Sequence, residues 1–261
     1  MKVGLNLYSI RDFIQTETEF LSTTEKLKEM GYDYLQYSGA PLDVERIARV
    51  SKESGLPVYL THSPMDRILN DTQKLMDEHA KFGCKNIGLG AMSPAIVANE
   101  SECKALVEKL DRAAEVMYQN GFQFFYHNHH FEFLKYPNGE TVFEYLLKNT
   151  KYFHFIADTY WVQYGGVNVL SFLEKLKGRV GCVHLKDYQI AAKKEGENVS
   201  FFPQFCPVGE GNMDFRAIIS KLSTLGTQYY FVEQDDAVAY PDPLGEVERS
   251  VKYIKSQLKD L

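Results

Sequence analysis

The chain has 261 residues, of which 44% are hydrophobic and 25% charged, as is typical of a soluble globular protein with a large core. Its 35 acidic and 29 basic residues give a formal net charge of −6, which argues against a non-specific nucleic-acid binder because such proteins carry a basic face. Its apolar stretches are shorter than the roughly 18 residues of a membrane helix, and its first residues are typical of a strand rather than a signal peptide. The four cysteines are far apart in the chain and are expected to be reduced thiols. We therefore expect a cytoplasmic protein.

Short apolar strands alternate with amphipathic helices along the whole chain. The predicted strands are residues 3–8, 32–37, 56–62, 86–90, 122–127, 153–158, 180–185 and 229–233. The predicted helices are residues 20–30, 43–54, 67–82, 100–120, 141–148, 169–177, 214–225 and 244–258. Several of these helices are followed by a glycine that is suited to end them, as at Gly31, Gly55 and Gly121. The pattern is one of eight strand–helix units.

Alternation of this kind predicts parallel strands joined by crossover helices. Eight units in this length favour a single α/β domain over residues 1–261, a (β/α)8 TIM barrel with a parallel eight-stranded core. An open doubly wound sheet is less favoured, since no Gly-x-Gly-x-x-Gly follows the first strand. Residues 187–213 form an unusually long connection after the seventh strand. We interpret it as a lid over the barrel mouth, with a solvent-exposed insertion as the alternative.

Most predicted strands are apolar until they end in a polar residue. In a TIM barrel the carboxyl ends of the strands form the mouth, where active sites lie. We therefore expect the polar groups at these ends to converge. They are Tyr8, Tyr37, His62, the run His127-Asn128-His129-His130-Phe131-Glu132, Asp158, His184 and Glu233.

Three of these residues predict a metal site. Asp158, His184 and Glu233 end three consecutive strands, and two carboxylates with an imidazole suit one divalent ion such as Mn²⁺, Zn²⁺, Co²⁺ or Mg²⁺. Asp158 could instead be a helix cap, His184 a buried imidazole bonded to the backbone, and Glu233 a member of an ion pair. All three alternatives together would require three coincidences. A fourth ligand is expected from residues 126–133. The residues themselves do not select among His127, His129 and Glu132.

Six segments, in order along nearly the whole chain, resemble the xylose-isomerase-like TIM barrels known as sugar phosphate isomerases/epimerases. The segments are Leu7-Tyr8-Ser9-Ile10-Arg11, Tyr126-His127-Asn128-His129-His130-Phe131-Glu132-Phe133, Ala157-Asp158-Thr159-Tyr160-Trp161, His184-Leu185-Lys186-Asp187, Gly209-Glu210-Gly211-Asn212-Met213-Asp214-Phe215 and Val232-Glu233-Gln234-Asp235. The resemblance implies a metal held by a Glu, an Asp, a His and a second Glu from strands five to eight.

The strand-five glutamate is where this sequence departs from the related epimerases. Those enzymes carry a metal-binding glutamate about where Tyr126 stands and a second glutamate where Glu132 stands. We therefore predict that Glu132 is the fourth ligand, with His127 or His129 as the alternative. The same departure argues against a simple ketose 3-epimerisation, which uses two glutamates on opposite faces of the sugar.

The resemblance implies an enzyme that removes a proton next to the carbonyl of a sugar, sugar derivative or cyclitol, with a metal ion that stabilises the enediolate. We expect an isomerase or epimerase, with a lyase or dehydratase of the 3-keto-glycoside lyase or inosose dehydratase type as the alternative. Glu233 or Glu132 is the expected base, and His127 and His129 are expected to bind hydroxyls or to carry the second proton. The expected substrate-binding residues are Tyr8, His62, Asn128, Trp161, Lys186 and Glu210.

Two other classes of protein share this resemblance, the endonuclease IV group and catalytically silent sugar-binding barrels. The negative net charge and the single ligand set argue against DNA repair, and the intact set of Asp158, His184 and Glu233 argues against a silent barrel. No phosphate-cradling glycine loop follows strands seven or eight, so a phosphorylated substrate is not predicted. Members of the group are often dimers or tetramers, so a homo-oligomer is expected.

Overall fold

The computed structural model describes residues 1–258 and 260, and in that part of the chain eight parallel strands close into a barrel. Each strand pairs in parallel with both of its neighbours. The order around the barrel is β1 (Gly4–Asn6), β10 (Tyr229–Val232), β7 (Cys182–Leu185), β6 (Phe153–Asp158), β5 (Gln123–His127), β4 (Asn86–Leu89), β3 (Val58–His62) and β2 (Tyr34–Tyr37). The predicted (β/α)8 barrel is confirmed.

Helices connect the barrel strands and bury their apolar faces against them. They are α1 (Glu17–Met30), α2 (Val44–Ser54), α3 (Met65–Asn70), α4 (Thr72–Lys81), α5 (Pro94–Ala98), α6 (Glu100–Gln119), α7 (Val142–Asn149), α8 (Thr159–Tyr164), α9 (Val169–Lys175), α10 (Phe215–Leu225) and α11 (Pro243–Gln257). Local signals fix several ends: Thr16 and Glu19 form a capping box at the start of α1, and Gly31 ends it with a φ of 105°. In the described residues, none of the helices is long and apolar enough to cross a membrane.

A plug of apolar side chains fills the lower barrel and forms the floor of the mouth. The plug consists of Tyr34, Leu60, Phe125, Ile156, Cys182 and Phe231, one from each of six strands. Gly4 completes this layer, because a Cβ there would lie 2.3 Å from the ring of Tyr34 and 2.7 Å from that of Phe231. Since side chains of a strand alternate between its two faces, the residue two positions after each plug residue also points inward. Those residues are Gln36, His62, His127, Asp158, His184 and Glu233.

The long connection expected as a lid loop instead contains an antiparallel hairpin. Its strands are β8 (Asp187–Glu195) and β9 (Asn198–Cys206), which pair along their whole length. The two-residue turn between them needs a left-handed residue, and Gly196 supplies it with a φ of +64°. The expectation of a loop is therefore corrected to a hairpin, while its role as a lid remains a prediction.

Other boundaries also differ from the sequence prediction. The helix predicted over residues 67–82 is two helices, α3 and α4, which meet at Asp71. Strand β1 ends at Asn6, whose side chain accepts a hydrogen bond from the Tyr8 amide at 3.2 Å and so starts a short 3-10 helix, Leu7–Phe13. Helix α8 follows β6 directly, because Asp158 accepts a hydrogen bond from the Trp161 amide and caps it.

Candidate metal site and active-site cavity

Four side chains at the barrel mouth offer ligand atoms that lie within 4.8 Å of one another: His127, Asp158, His184 and Glu233. All four are buried. His184 Nδ1 lies 2.8 Å from Glu233 Oε2 and 3.8 Å from Asp158 Oδ2, while His127 Nε2 lies 3.3 Å from Asp158 Oδ2. The structure thus brings together the three strand-end residues singled out in the sequence, and the fourth member of the group comes from the end of β5.

Hydrogen bonds on the far side of each imidazole fix which nitrogen is bare. His127 Nδ1 donates to the Gly90 carbonyl at 3.0 Å, and His184 Nε2 donates to Gln36 Oε1 at 2.7 Å. In a neutral imidazole the other nitrogen then carries only a lone pair. Burial, followed by the nearby His184, holds the pKa of His127 well below its usual range, so His127 is neutral at pH 7. His127 therefore points a bare nitrogen at Asp158, while the second ring nitrogen of His184 faces Glu233.

A lone pair that faces a carboxylate oxygen is repelled unless a cation lies between them. Among the described residues, His184 Nδ1 is buried and makes no hydrogen bond of acceptable geometry, although it lies only 2.8 Å from Glu233 Oε2. Buried polar atoms without partners are rare and call for a ligand. Two imidazole nitrogens and two carboxylate oxygens, with their outer hydrogen bonds in place, fit a divalent metal ion.

Lys186 places its ammonium group among the same carboxylates. Its Nζ lies 3.0 Å from Asp158 Oδ2, 2.8 Å from Glu233 Oε2 and 3.1 Å from Asp235 Oδ2. The side chain is only 1% exposed. In their ionised forms three carboxylates and one ammonium leave two negative charges unbalanced, and buried charge needs a partner. A divalent cation would supply that balance.

The charges of this group are mutually stabilised. Burial opposes the charge on Lys186, but the three neighbouring carboxylates outweigh it and hold the pKa of the ammonium well above its usual range. Burial also opposes ionisation of Glu233, yet His184 and Lys186 hold the pKa of that carboxyl well below its usual range. Asp235 differs, because burial raises its pKa to about 6. Burial also raises the pKa of Asp158, but that carboxylate is one of the four grouped ligands, so Asp235 is the carboxylate left to exchange a proton near neutral pH.

A cavity of about 220 Å³ opens beside the four ligand atoms. It is lined by Tyr8, His62, Gly90, Ala91, His127, His129, Lys186, Glu233 and Asp235. Three residues expected to bind substrate, Tyr8, His62 and Lys186, are in this lining. Two others lie next to it: the Lys186 ammonium is 5.3 Å from the centre of the Trp161 ring, and Asn128 accepts a hydrogen bond from the Asp158 amide.

Three buried nitrogen atoms near the cavity have no hydrogen-bond partner in the part of the chain that the structure describes. They are Asn128 Nδ2, His129 Nδ1 and Trp161 Nε1. The rings of His129 and Trp161 lie 5.3 Å apart. An amide and an indole donate hydrogen bonds, while a nitrogen of a neutral imidazole either accepts or donates one, so together they match the hydroxyl groups of a polyol.

Two expected site residues lie elsewhere. Glu132 is fully buried, but its carboxylate accepts hydrogen bonds from the Tyr126 hydroxyl at 2.6 Å and the His129 amide at 2.8 Å, so each of its oxygens has a partner and Glu132 is not one of the four grouped residues. His127 is the fourth member of the group of ligand atoms, the position that was predicted for Glu132. Glu210 pairs with Arg249 at 2.8 Å and is not in the cavity lining, because the segment that carries it faces helix α11.

The placement of Glu132 sets a pH dependence of stability. Burial raises its pKa from 4.5 to about 7, so between these values the folded chain holds a proton that the unfolded chain has released. The contribution of Glu132 to the free energy of unfolding therefore falls as the pH rises from 4.5 to 7, and is constant above that. Relative to Glu132→Gln, the wild type is expected to lose up to about 3 kcal/mol over this window. Urea unfolding of both chains across the pH range measures it, and a constant difference would contradict the buried position.

Sequence reasoning missed three residues that shape the site: Asn6, Gln36 and Asp235. Asn6 Nδ2 donates to Glu233 Oε1 at 2.5 Å, and Gln36 bridges His184 and His62, with 2.9 Å between Gln36 Nε2 and His62 Nε2. The available signal was the two-residue period, since Gln36 is the polar residue within an otherwise apolar or aromatic β2. Asp235 stands two residues after Glu233.

The chain is similar in sequence to known proteins. A family model described as xylose isomerase-like TIM barrel matches residues 24–257. An inosose dehydratase of Clostridium perfringens is 27% identical, over 94% of this chain and 90% of the relative.

Solved structures show the same fold. A sugar phosphate isomerase/epimerase from Parabacteroides distasonis superposes with a TM-score of 0.81 at 22% identity, over 98% of this chain and 93% of that one. A xylose isomerase-like TIM barrel protein from Mycobacterium smegmatis, solved in complex with magnesium, superposes with a TM-score of 0.72 at 16% identity, over 99% of this chain and 97% of that one.

Proposed function

The chain belongs to the xylose isomerase-like TIM barrel family, and from that premise we propose that it is a metal-dependent dehydratase acting on a keto-cyclitol or a cyclic keto-sugar. The reaction removes the proton next to the carbonyl and expels the hydroxyl group on the following carbon as water. The similarity to inosose dehydratase over nearly the whole chain supports this outcome, as does the arrangement of proton-transferring groups in the cavity.

The observation that carries the proposal is the pairing of Lys186 with Asp235 in the cavity wall, at 3.1 Å. An elimination needs a base for the carbon-bound proton and an acid for the leaving hydroxyl, which is a poor leaving group unless it is protonated. Asp235 and Lys186 supply both groups side by side. An epimerase of the two-glutamate type instead needs carboxylates on opposite faces of its substrate, and the carboxylate of Glu132 is turned towards Tyr126.

A divalent ion held by His127, Asp158, His184 and Glu233 would supply positive charge that stabilises the negative charge developing on the carbonyl oxygen of the substrate. The low pKa of Glu233 suits a ligand better than a base, because a ligand must stay ionised. Asn6 holds the other oxygen of Glu233, which fixes the orientation of the carboxylate.

The proton transfers balance within the chain. Asp235 accepts the proton from the carbon next to the carbonyl, and the electrons of that C–H bond form a carbon–carbon double bond. The adjacent C–O bond breaks, the departing hydroxyl takes a proton from the Lys186 ammonium, and water leaves. Asp235 then returns its proton to the neutral lysine across 3.1 Å, which restores both groups. This assignment requires Lys186 to be protonated before each turnover, as its raised pKa indicates.

The products formed from a small panel of ketones test the proposal. The purified chain, stripped with a chelator and reloaded with Mn²⁺, Co²⁺, Zn²⁺ or Mg²⁺, is incubated with an inosose, a 3-keto-glucoside and an open-chain ketose in heavy water. We expect the inosose to lose one water molecule and the 3-keto-glucoside to lose the alcohol bound at its anomeric carbon, both seen by mass spectrometry and by the ultraviolet absorbance of an unsaturated ketone. A product of unchanged formula that gains solvent deuterium would instead establish an isomerase or epimerase.

A further inference from the structure

Gln36 lies between a candidate metal ligand and the wall of the cavity. Its side chain is fully buried, and its Oε1 accepts a hydrogen bond from His184 Nε2 at 2.7 Å. Its Nε2 lies 2.9 Å from His62 Nε2. His184 is on β7 and His62 is on β3, which stand on opposite sides of the barrel. The carboxamide of Gln36 therefore joins two imidazoles across the mouth.

The two ends of this carboxamide fix where both imidazoles carry a proton. An amide oxygen only accepts hydrogen bonds, and an amide nitrogen only donates them. Because Gln36 Oε1 faces His184, the Nε2 of His184 carries a proton. Because Gln36 Nε2 faces His62, the Nε2 of His62 offers a lone pair. An imidazole with a lone pair on one ring nitrogen has its single proton on the other, so His62 is protonated on Nδ1.

The protonated nitrogen of His62 opens onto the cavity. His62 is part of the cavity lining. In the described part of the chain its Nδ1 makes no hydrogen bond, and it is not one of the buried atoms that lack a partner. Gly90 keeps this nitrogen uncovered, because a Cβ at that position would lie 2.9 Å from it. The N–H group of His62 is therefore available to an oxygen atom of a bound molecule.

A metal ion at the candidate site would lock this arrangement. A ligand nitrogen of a neutral imidazole gives its lone pair to the metal, so a metal at His184 Nδ1 requires the proton on Nε2. That proton holds Gln36 Oε1 and leaves the amide nitrogen facing His62. Without the ion, His184 is free to carry its proton on Nδ1, 2.8 Å from Glu233 Oε2, and the amide is then free to turn over. The proton of His62 would move with it.

We propose that Gln36 is a positioning residue that makes His62 a hydrogen-bond donor to a substrate oxygen and couples this role to the metal site. We call the contacts from His184 through Gln36 to His62 the Gln36 relay. The donor role rests on the proposed function, since it needs a substrate rich in oxygen atoms. The proton on His62 Nδ1 follows from the relay alone and does not depend on which reaction the site performs.

Nitrogen NMR of the chain labelled with ¹⁵N-histidine tests the Gln36 relay. Protonated and bare imidazole nitrogens resonate far apart, and the signals of His62 are those missing from a His62→Asn sample. In the wild type loaded with Zn²⁺, which is diamagnetic, we expect His62 to be protonated on Nδ1 alone. After chelation a second form of His62, protonated on Nε2, should appear. This comparison needs no variant of Gln36, so it does not depend on how well such a variant folds.

Two variants separate the relay from a general disturbance of the metal site. Gln36→Met removes the amide donor, so in the Zn²⁺ form the proton of His62 should lie on Nε2 or be shared between both nitrogens. The control Asn6→Ala removes a hydrogen bond to Glu233 and leaves Gln36 in place, so its His62 should keep the wild-type pattern. A Zn²⁺-loaded wild type protonated on Nε2, or an unchanged His62 in Gln36→Met, overturns the relay. Identical His62 signals with and without Zn²⁺ overturn its coupling to the metal site.

Binding of inositol, a cyclitol without a carbonyl group, tests the donor role. Trp161 is the single tryptophan, and its indole N–H beside the cavity reports binding independently of His62. In the Zn²⁺-loaded wild type, inositol is expected to shift the His62 Nδ1–H signal together with the indole signal. A shift of the indole signal alone overturns the donor role. If neither signal moves, the proposed substrate class is contradicted, and the tautomer of His62 decides the Gln36 relay by itself.

Discussion

Replacement of Asp158 by asparagine is expected to remove tight metal binding and, with it, turnover. Removal of a metal-bound carboxylate should lower metal affinity by at least the roughly 10- to 100-fold that loss of an outer hydrogen bond costs. Asparagine keeps the size of the side chain and retains an oxygen that accepts the hydrogen bond of the Trp161 amide, so the start of α8 is preserved. The affinity is measured by titration calorimetry on the chelated protein.

A matched control separates the lost ligand from the altered cap. Asp214 caps α10 in the same way, with its Oδ1 accepting a hydrogen bond from the Ala217 amide at 3.0 Å, and it lies outside the group of four ligand atoms. Asp214→Asn should therefore bind metal as the wild type does. If Asp158→Asn also keeps wild-type affinity, the metal site is not where the four residues converge.

Replacement of Lys186 by methionine is expected to separate catalysis from metal binding. Loss of the proton donor should lower kcat by roughly 10²- to 10⁴-fold. Metal affinity should stay at or above that of the wild type, because a positive charge 3.0 Å from Asp158 and 2.8 Å from Glu233 opposes a second cation at those oxygens.

The Lys186→Met variant should be less stable than the wild type only when metal is absent. Removal of one member of a buried ion pair costs about 3–5 kcal/mol, since the remaining charges stay unpaired. Added metal should restore most of that loss, which urea unfolding with and without metal measures. The control Lys255→Met removes a lysine that pairs with Asp33 far from the site, and its stability should not respond to metal. A Lys186→Met chain that binds metal weakly would contradict the placement of the ammonium group.

The barrel was predictable because its signal is repeated in each unit. Most barrel strands are apolar runs that end near a polar residue, and several of the crossover helices have a glycine or a side-chain cap at one end. The hairpin was not predicted because its outer half is exposed on both faces, so its residues lack the contrast between buried and exposed sides that marks a strand. The break at Asp71 was missed for a related reason, since both α3 and α4 continue the same apolar pattern.

Part of the site also followed from the sequence. Asp158, His184 and Glu233 were found because strand ends must meet at the mouth of a barrel. The position of Glu132 was not predictable, because it depends on a hydrogen bond to Tyr126 that forms only when the loop after β5 folds back. Lys186 was expected only to bind substrate, yet its side chain is buried and its ammonium group lies among three carboxylates. Such pairings depend on three-dimensional distances that sequence spacing does not carry.

Anomalous diffraction from crystals grown with Mn²⁺ or Zn²⁺ tests the metal site most directly. We expect one strong peak at the barrel mouth, about 2.0–2.3 Å from the nitrogens of His127 and His184 and from oxygens of Asp158 and Glu233. Glu132 should keep its hydrogen bond to Tyr126 in the same map. A peak bound by Glu132 in place of His127, or a mouth without a peak in crystals soaked with either metal, would contradict the proposed site.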